Sequence, residues 1–539
     1  MAEIDGKGSL DRIGHQDHSA SREYRIFGPP GTGKTTSLNE QISRAVARYG
    51  NNSVLVTSFS KATAAELMSR DMSIAADRIG TLHSVCFRAL GKPAIAEAHV
   101  AGWNRDNPRM GITPVSSRNR LDGEDLIQEE EDGTSHDGDA LLQQMNRCRG
   151  IMLERAAWPW ATRNFASKWE RYKSENRLLD FCDLIETASH DVPVAPNMPA
   201  VIVADEAQDL NRMQLTLIRR WSNRANYLVL AGDDDQTVYG WTGASPEAIL
   251  GVDIPEDHKI FLTQSRRVPR AVHAVSERLI HQVNRRQEKT YLPRPAAGEV
   301  HRLTQADYRS PEYEILKTVE RHLKQGKSIM FLASCSYMLL PLLAVLRKHG
   351  IPFHNPYRRS SGFWNPLRSG SRHSATRRIL ALLAVRPGPG KHHPLWDGVD
   401  LTLWWPWLRT KGVLKTDYAE ALSLLLQGET VTLASLEGVF EPGAFVSLRV
   451  ALENGPLALL EWWRIRLAEE FGKRVVFPAD VVRLRGTQTL RAVPQIVVGT
   501  IHSVKGGQAD VVYLFPHLSS AGDTQYQQSG KPRDSVVRV

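Results

Sequence analysis

The segment Gly28-Pro29-Pro30-Gly31-Thr32-Gly33-Lys34-Thr35 carries the spacing G-x-x-x-x-G-K-[ST]. These residue types, in this order, can hold a polyphosphate. Glycines let backbone N–H groups close around phosphate oxygens, and a helix beginning directly after them adds positive potential. Lys34 would reach the β- and γ-phosphates, Thr35 would set its hydroxyl on Mg²⁺, and Thr36 would complete the contacts. A metal–phosphate pair also needs a carboxylate at the end of another strand. The run Val201-Ile202-Val203-Ala204-Asp205-Glu206 offers one, because Asp205 follows four apolar residues and would emerge at a strand's carboxyl end. Asp205 would hold the metal, and Glu206 would position or deprotonate an attacking water. A plain acidic loop is the alternative for Asp205-Glu206-Ala207-Gln208-Asp209.

Elements must place these groups. Tyr24–Phe27 reads as a short strand before the loop. Thr35–Tyr49 reads as a helix after it, with Leu38, Ile42, Val46 and Tyr49 at helical spacing and Gly50 as a stop. Further strands are expected at Val54–Thr57, Val201–Asp205, Tyr227–Gly232 and Ile260–Leu262, and a later set at Ser328–Leu332, Gln495–Thr500 and Val511–Leu514. Strands alternating with helices point to parallel, helix-covered sheets in two α/β lobes. Residues 91–189 and 386–489 read as mostly helical insertions. The first holds an acidic patch, Asp122 to Asp139, that reads as a solvated loop. The second is rich in tryptophan (Trp404, Trp405, Trp407, Trp462, Trp463), and such clusters are more often core than base-stacking surface.

Length, charge and cysteines set outer bounds. The chain has 539 residues, a net charge of +9 and a pI near 9.3. That charge permits a polyanionic partner without requiring one. Cys86, Cys148, Cys182 and Cys335 are widely spaced, which argues against a zinc or iron–sulfur site and fits reduced thiols. The N-terminus has no apolar signal core and no apolar run is long enough to span a bilayer, so a cytoplasmic protein is expected.

Several blocks, taken in order, resemble the motifs of superfamily 1 helicases of the UvrD/Rep type. They are the phosphate loop, Thr57 to Leu67, Gly80-Thr81-Leu82-His83-Ser84, Asp180-Phe181-Cys182-Asp183-Leu184, Asp205 to Asp209, Gly232 to Ala244, Gln264-Ser265-Arg266-Arg267 and Thr500 to Gly507. The resemblance implies two RecA-like lobes with parallel sheets, each carrying an inserted, mostly helical subdomain. The first lobe would comprise 23–90 and 190–265, and the second 266–385 and 490–539, with 1–22 as a flexible leader. It implies ATP and Mg²⁺ as cofactors, and single-stranded DNA or single/double-strand junctions as partners, with 3′ to 5′ movement. Gln236 would sense the γ-phosphate, Arg267 would stabilise charge developing on it, and Phe59, Tyr239 and Trp241 would meet bases. His83 and His502 would contact the strand. Singly, Phe59 and Tyr239 could be core and His83 a loop histidine.

The chain departs from the pattern in three places. Gln16 lies upstream of the phosphate loop without the family's surrounding adenine-reading pattern, and Arg266 stands where an adenine-stacking tyrosine is usual, so relaxed base selectivity is expected. Gln508 replaces a glutamate that contacts the ribose. The segment Arg533 to Val539 precedes the place of a sixth motif that brings a second arginine, so weakened hydrolysis is expected. The alternatives are a truncated remnant that binds ATP and DNA with impaired hydrolysis, or an ATPase acting on RNA or a protein.

Overall fold

The structure, a computed structural model, describes residues 22–59, 74–114, 137–303, 309, 311, 314–358, 363–368, 374–386, 393–427 and 430–539. The leader with Gln16, the stretch from Ser60 to Leu67 and most of the acidic patch lie outside the described residues. Contacts divide the chain into two units, one of Met1–Arg302 with Leu518–Val539 and one of Leu303–His517.

The first unit is built on a six-stranded sheet of β1 (Glu23–Phe27), β2 (Val54–Ser58), β3 (Ile79–Thr81), β4 (Val201–Asp205), β5 (Tyr227–Gly232) and β6 (Lys259–Phe261). Their spatial order is β3-β2-β4-β5-β1-β6, and every pairing is parallel. The long strands are buried along their whole length, which is why they read as near-continuous apolar runs. Arg25, in the middle of β1, is tolerated because Glu23 pairs with it at 2.8 Å and Arg219 completes the cluster from a neighbouring helix. Helix α1 (Lys34–Tyr49) buries Leu38, Ile42 and Ala45 against the sheet and stops at Gly50, which has φ 87°. Each large apolar side chain so buried contributes roughly 1.5–3 kcal/mol.

Around this sheet lie α2 (Leu82–Ala89), α3 (Asp137–Gly150), α4 (Trp160–Asn176), α5 (Phe181–Asp191) and α6 (Arg212–Ser222). The α3 and α4 region has a core of its own, centred on Trp103, Phe165 and Trp169. The rings of Trp103 and Trp169 meet edge to face at 5.1 Å. A buried ionic knot joins this core to α5. Asp180 caps α5, accepts from Trp169 Nε1 at 3.1 Å and pairs with Arg149 at 2.9 Å and Lys173 at 2.5 Å. The sequence pattern placed residues 266–302 and 518–539 with the second sheet. They group with the first unit instead, because Ser265, Lys289 and Tyr291 bind loops at the carboxyl edge of the first sheet. Within that group, Asp534 accepts from Asn284. A short pair of strands, β7 (Gln264–Pro269) and β8 (Leu292–Arg294), frames this stretch.

The second unit has a three-stranded parallel sheet of β9 (Ile329–Ala333), β12 (Ile496–Thr500) and β13 (Val511–Phe515), ordered β12-β9-β13. Between β9 and β12 run several helices and an antiparallel pair, β10 (Pro394–Asp397) and β11 (Thr430–Thr432). Trp404, Trp405, Trp407, Trp462 and Trp463 are all buried, in one core continuous with the sheet. They are packing residues. Among the described residues, no helix is long and apolar enough to cross a membrane.

Candidate functional site

Parallel strands bring their carboxyl ends to one edge, and the register makes that edge even. Phe27 lies opposite Gly232 and Phe261, and Ser58 lies opposite Asp205 and Thr81. The loops that follow these residues are therefore neighbours. At this edge, or in the segments that follow it, lie the phosphate loop, the Asp205-Glu206 pair, Gln236, Phe59, His83 at the start of α2 and Arg267 on β7.

The phosphate loop is anchored at its start by Gly28 N–H, which donates to the Gly232 carbonyl at 3.0 Å. Gly31 and Gly33 take φ of 76° and 89°, a backbone that side chains resist. Lys34 Nζ folds across the loop and donates to the Gly28 carbonyl at 2.8 Å. A Cβ on Gly28 would fall 2.3 Å from Lys34 Cγ, so the cradle exists only with glycine there. Thr32 closes the turn onto Pro29, and Ser37 N–H donates to Gly33 as α1 starts, with Thr35 and Thr36 in its first turn. β7 closes over the loop. Ser265 Oγ donates to the Pro30 carbonyl at 2.9 Å, and Arg266 N–H donates to Gly31 at 2.9 Å. A Cβ on Gly31 would lie 2.5 Å from Arg267 Cβ, which puts Arg267 beside the phosphate cradle.

Asp205 is buried at the end of β4, and its Oδ1 accepts from Glu206 N–H at 2.9 Å. Glu206 itself takes φ 50°, which turns its carboxylate out of the strand line. Gln208, fully buried, binds both sides of the site. Its Nε2 donates to Glu206 and its Oε1 accepts from Asp233 N–H at 3.0 Å. Asp233 Oδ2 in turn accepts from Gln236 Nε2 at 2.6 Å. One hydrogen-bonded chain thus runs from Glu206 through Gln208 and Asp233 to Gln236. A Cβ on Gly232 would meet Gln208 Oε1 at 2.2 Å, so this chain depends on the glycine.

These residues fit a magnesium nucleotide. The cradle has glycine-only clearances, a lysine lies across it, and a buried carboxylate stands at the end of β4, one strand away across β5. Among the described residues there is no cluster of three or more metal-ligating side chains. Mg²⁺ takes one or two protein oxygens and completes its shell with phosphate and water, and Thr35 and Asp205 are the oxygens offered here.

The aromatic residues divide by exposure. Phe59 and Tyr239 stack on each other at 5.0 Å, and Tyr239 is only 4% exposed, packed with Val238 and Ala244. Phe59 and Trp241 flank this cluster and remain partly exposed. Beside them is a cavity of about 110 Å³ whose lining includes Phe59, His83, Glu97, Asn146, Phe181 and Trp241. Burial pushes His83 down to about 4, so its imidazole is neutral at pH 7 and can offer a strand a hydrogen bond but no charge. His502 and Gln508 belong to the second unit, in the loop between β12 and β13, where Gln508 is exposed.

Sequence reasoning did not single out Gln208, Lys289 or Glu97. Gln208 sits inside the Asp205 to Asp209 block, and its position two residues past Glu206 was the available signal. Lys289 and Glu97 act through partners far along the chain and gave none.

Residues 16–255 match the UvrD/REP helicase N-terminal domain family. The ATP-dependent DNA helicase PcrA of Staphylococcus aureus (strain Mu50 / ATCC 700699) is 25% identical over 344 residues, covering 57% of this chain and 45% of that protein. PcrA of Staphylococcus epidermidis (strain ATCC 12228 / FDA PCI 1200) is 24% identical over 338 residues, covering 56% and 44%. The match thus spans less than half the length of these relatives. The phosphate loop, the Asp205-Glu206 pair and the Gly232–Ala244 segment all fall inside the matched stretch, and over it the chain is similar to the N-terminal domain of UvrD/REP helicases.

Proposed function

We propose that this chain is an ATP-dependent DNA helicase or translocase that moves 3′ to 5′ on single-stranded DNA and engages single/double-strand junctions. The observation that carries this reading is the hydrogen-bonded chain Glu206–Gln208–Asp233–Gln236, which links the hydrolytic carboxylate to the loop bearing Trp241. Lys34 and the loop Gly28, Pro29, Pro30, Gly31, Thr32 and Gly33 bind the phosphates, with Thr36 beside them. Thr35 and Asp205 hold Mg²⁺, which when bound neutralises charge between the β- and γ-phosphates. Glu206 orients the attacking water and takes its proton. Arg267 faces the charge that develops on the γ-phosphate. Gln236 reports the phosphate's presence to the strand-facing residues, and Phe59 and Trp241 stack on bases without regard to sequence. Tyr239 supports Phe59 from behind. His83 and His502 contact the strand, and Gln508 contacts the nucleotide. The working architecture is two RecA-like lobes, each with a helical insertion, in a cytoplasmic protein.

Strand displacement tests this reading. Duplexes with a 3′ or a 5′ single-stranded tail are incubated with Mg-ATP and the chain or its Lys34→Ala variant. Displacement of the 3′-tailed duplex alone, lost in the variant, is the expected result. Displacement that persists in Lys34→Ala, or that requires a 5′ tail, contradicts it.

A further inference from the structure

The stretch 264–291 holds two loops at once. At the phosphate loop, Ser265 Oγ and Tyr291 OH both donate to the Pro30 carbonyl at 2.9 Å. Two residues before Tyr291, Lys289 enters the acidic loop after β5. Its Nζ lies 3.2 Å from Asp233, 2.6 Å from Asp234 and 2.7 Å from Asp235, and its side chain is 2% exposed. Arg286 adds a bond to Asp235 at 2.7 Å, and Gln287 N–H donates to Asp234 at 2.7 Å.

Three carboxylates side by side in a buried loop cannot all stay charged without a cation among them. Burial alone would lower the Lys289 ammonium, but the three aspartates hold it well above the usual lysine range. Lys289 therefore sets the shape of the loop. Asp233 shares one oxygen with Lys289 and gives the other to Gln236. Tyr239 and Trp241 lie three and five residues after Gln236 in the chain.

We infer that Lys289 is a positioning residue that couples the phosphate loop to the strand-facing aromatics, by fixing Asp233 and Gln236 from the same short segment that Tyr291 ties to Pro30. A shift of the Pro30 carbonyl on nucleotide binding moves Tyr291. The adjoining Lys289 then carries that shift into the loop that ends in Trp241. The inference rests on the proposed roles of those two sites. It requires a contiguous set of contacts with two arrangements, and the hydrogen bonds above supply the contacts.

The test is a coupling measurement that needs no turnover. Affinity for a fluorescent oligo-dT is measured with and without a non-hydrolysable Mg-ATP analogue, and the ratio of the two affinities is the coupling factor. The full chain is expected to give a factor of about five or more. Lys289→Met is expected to bring the ratio close to one, while nucleotide affinity without DNA stays within about threefold. Lys289→Arg, which keeps the charge, should restore coupling in part. Tyr291→Phe removes one hydroxyl and leaves the fold intact, so it tests the coupling even where Lys289→Met unfolds. It should lower the ratio with both separate affinities kept. An unchanged ratio in Tyr291→Phe and in each folded Lys289 variant overturns the inference. A ratio of one in the unaltered chain also overturns it, and leaves the helicase reading to be judged by strand displacement.

Discussion

Replacing Glu97 by glutamine should flatten the chain's loss of stability as pH rises from about 4.5 to about 8. Glu97 has no exposed surface, and its Oε1 accepts from Phe181 N–H at 3.1 Å. Its Oε2 has no hydrogen-bond partner among the described residues. Burial, reinforced by the charge of Asp180 and only partly offset by Phe181 N–H and Lys173, pushes the carboxyl from 4.5 up to about 8. Between those values the folded chain keeps a proton that the unfolded chain gives up. Stability from this group is therefore complete below about 4.5 and drains away as pH rises through about 8. At ~1.4 kcal/mol per pH unit, the rise from 4.5 to about 8 amounts to at most about 5 kcal/mol. Asp180 works the other way. Arg149 and Lys173 outweigh its burial and hold its carboxyl below the usual range, so its contribution is lost only in acid, below the window of Glu97. Glutamine has nearly the same shape and no charge at any pH. Denaturant unfolding at pH 5, 7 and 8.5, followed by tryptophan fluorescence, should find Glu97→Gln close to the parent at pH 5 and more stable than it at pH 8.5. Parallel pH profiles for the two proteins would refute the reasoning.

Trp241→Ala should weaken single-stranded DNA binding by roughly ten- to a hundredfold, the scale of one lost base stack, while nucleotide binding holds. Parallel loss of both affinities would mark Trp241 as packing. Gly232→Ala places a Cβ 2.2 Å from Gln208 Oε1. It should cut kcat of ATP hydrolysis at least tenfold with little change in KM, and an unchanged kcat would count against the Gln208 link. Arg149→Met leaves Lys173 as the one cation shared by the buried Asp180 and the half-buried Asp183 and should cost up to about 3–5 kcal/mol in a denaturant titration. A cost under about 1 kcal/mol would mean the knot is not holding the helical region to the sheet. Strand affinity should fall steeply with salt, as phosphate contacts release counterions. A flat dependence would remove the electrostatic part of the account.

The central sheet was legible because its strands are buried on both faces and therefore apolar throughout. Val201–Asp205 and Tyr227–Gly232 are strands over the expected residues. β3 escaped notice because it has three residues with Gly80 in the middle, too little for a pattern. β7 escaped because Gln264, Arg266 and Arg267 are polar and exposed, held by backbone pairing to a strand far along the chain. The phosphate loop and Asp205 could be placed because their roles depend on residues adjacent in sequence. Lys289 and Glu97 could not, since each is defined by partners that only the fold brings near. The burial of Tyr239 was equally hidden, because its partner Phe59 follows a different strand. Of the tryptophans, composition offered both core and stacking roles, and a single shared core decided for packing.

The most direct test of the account is Mg²⁺-dependent ATP hydrolysis, with and without single-stranded DNA, by this chain and by Lys34→Ala. The account predicts turnover that DNA stimulates and that the variant loses. Nucleotide and DNA binding with no turnover, or turnover indifferent to DNA, would contradict it.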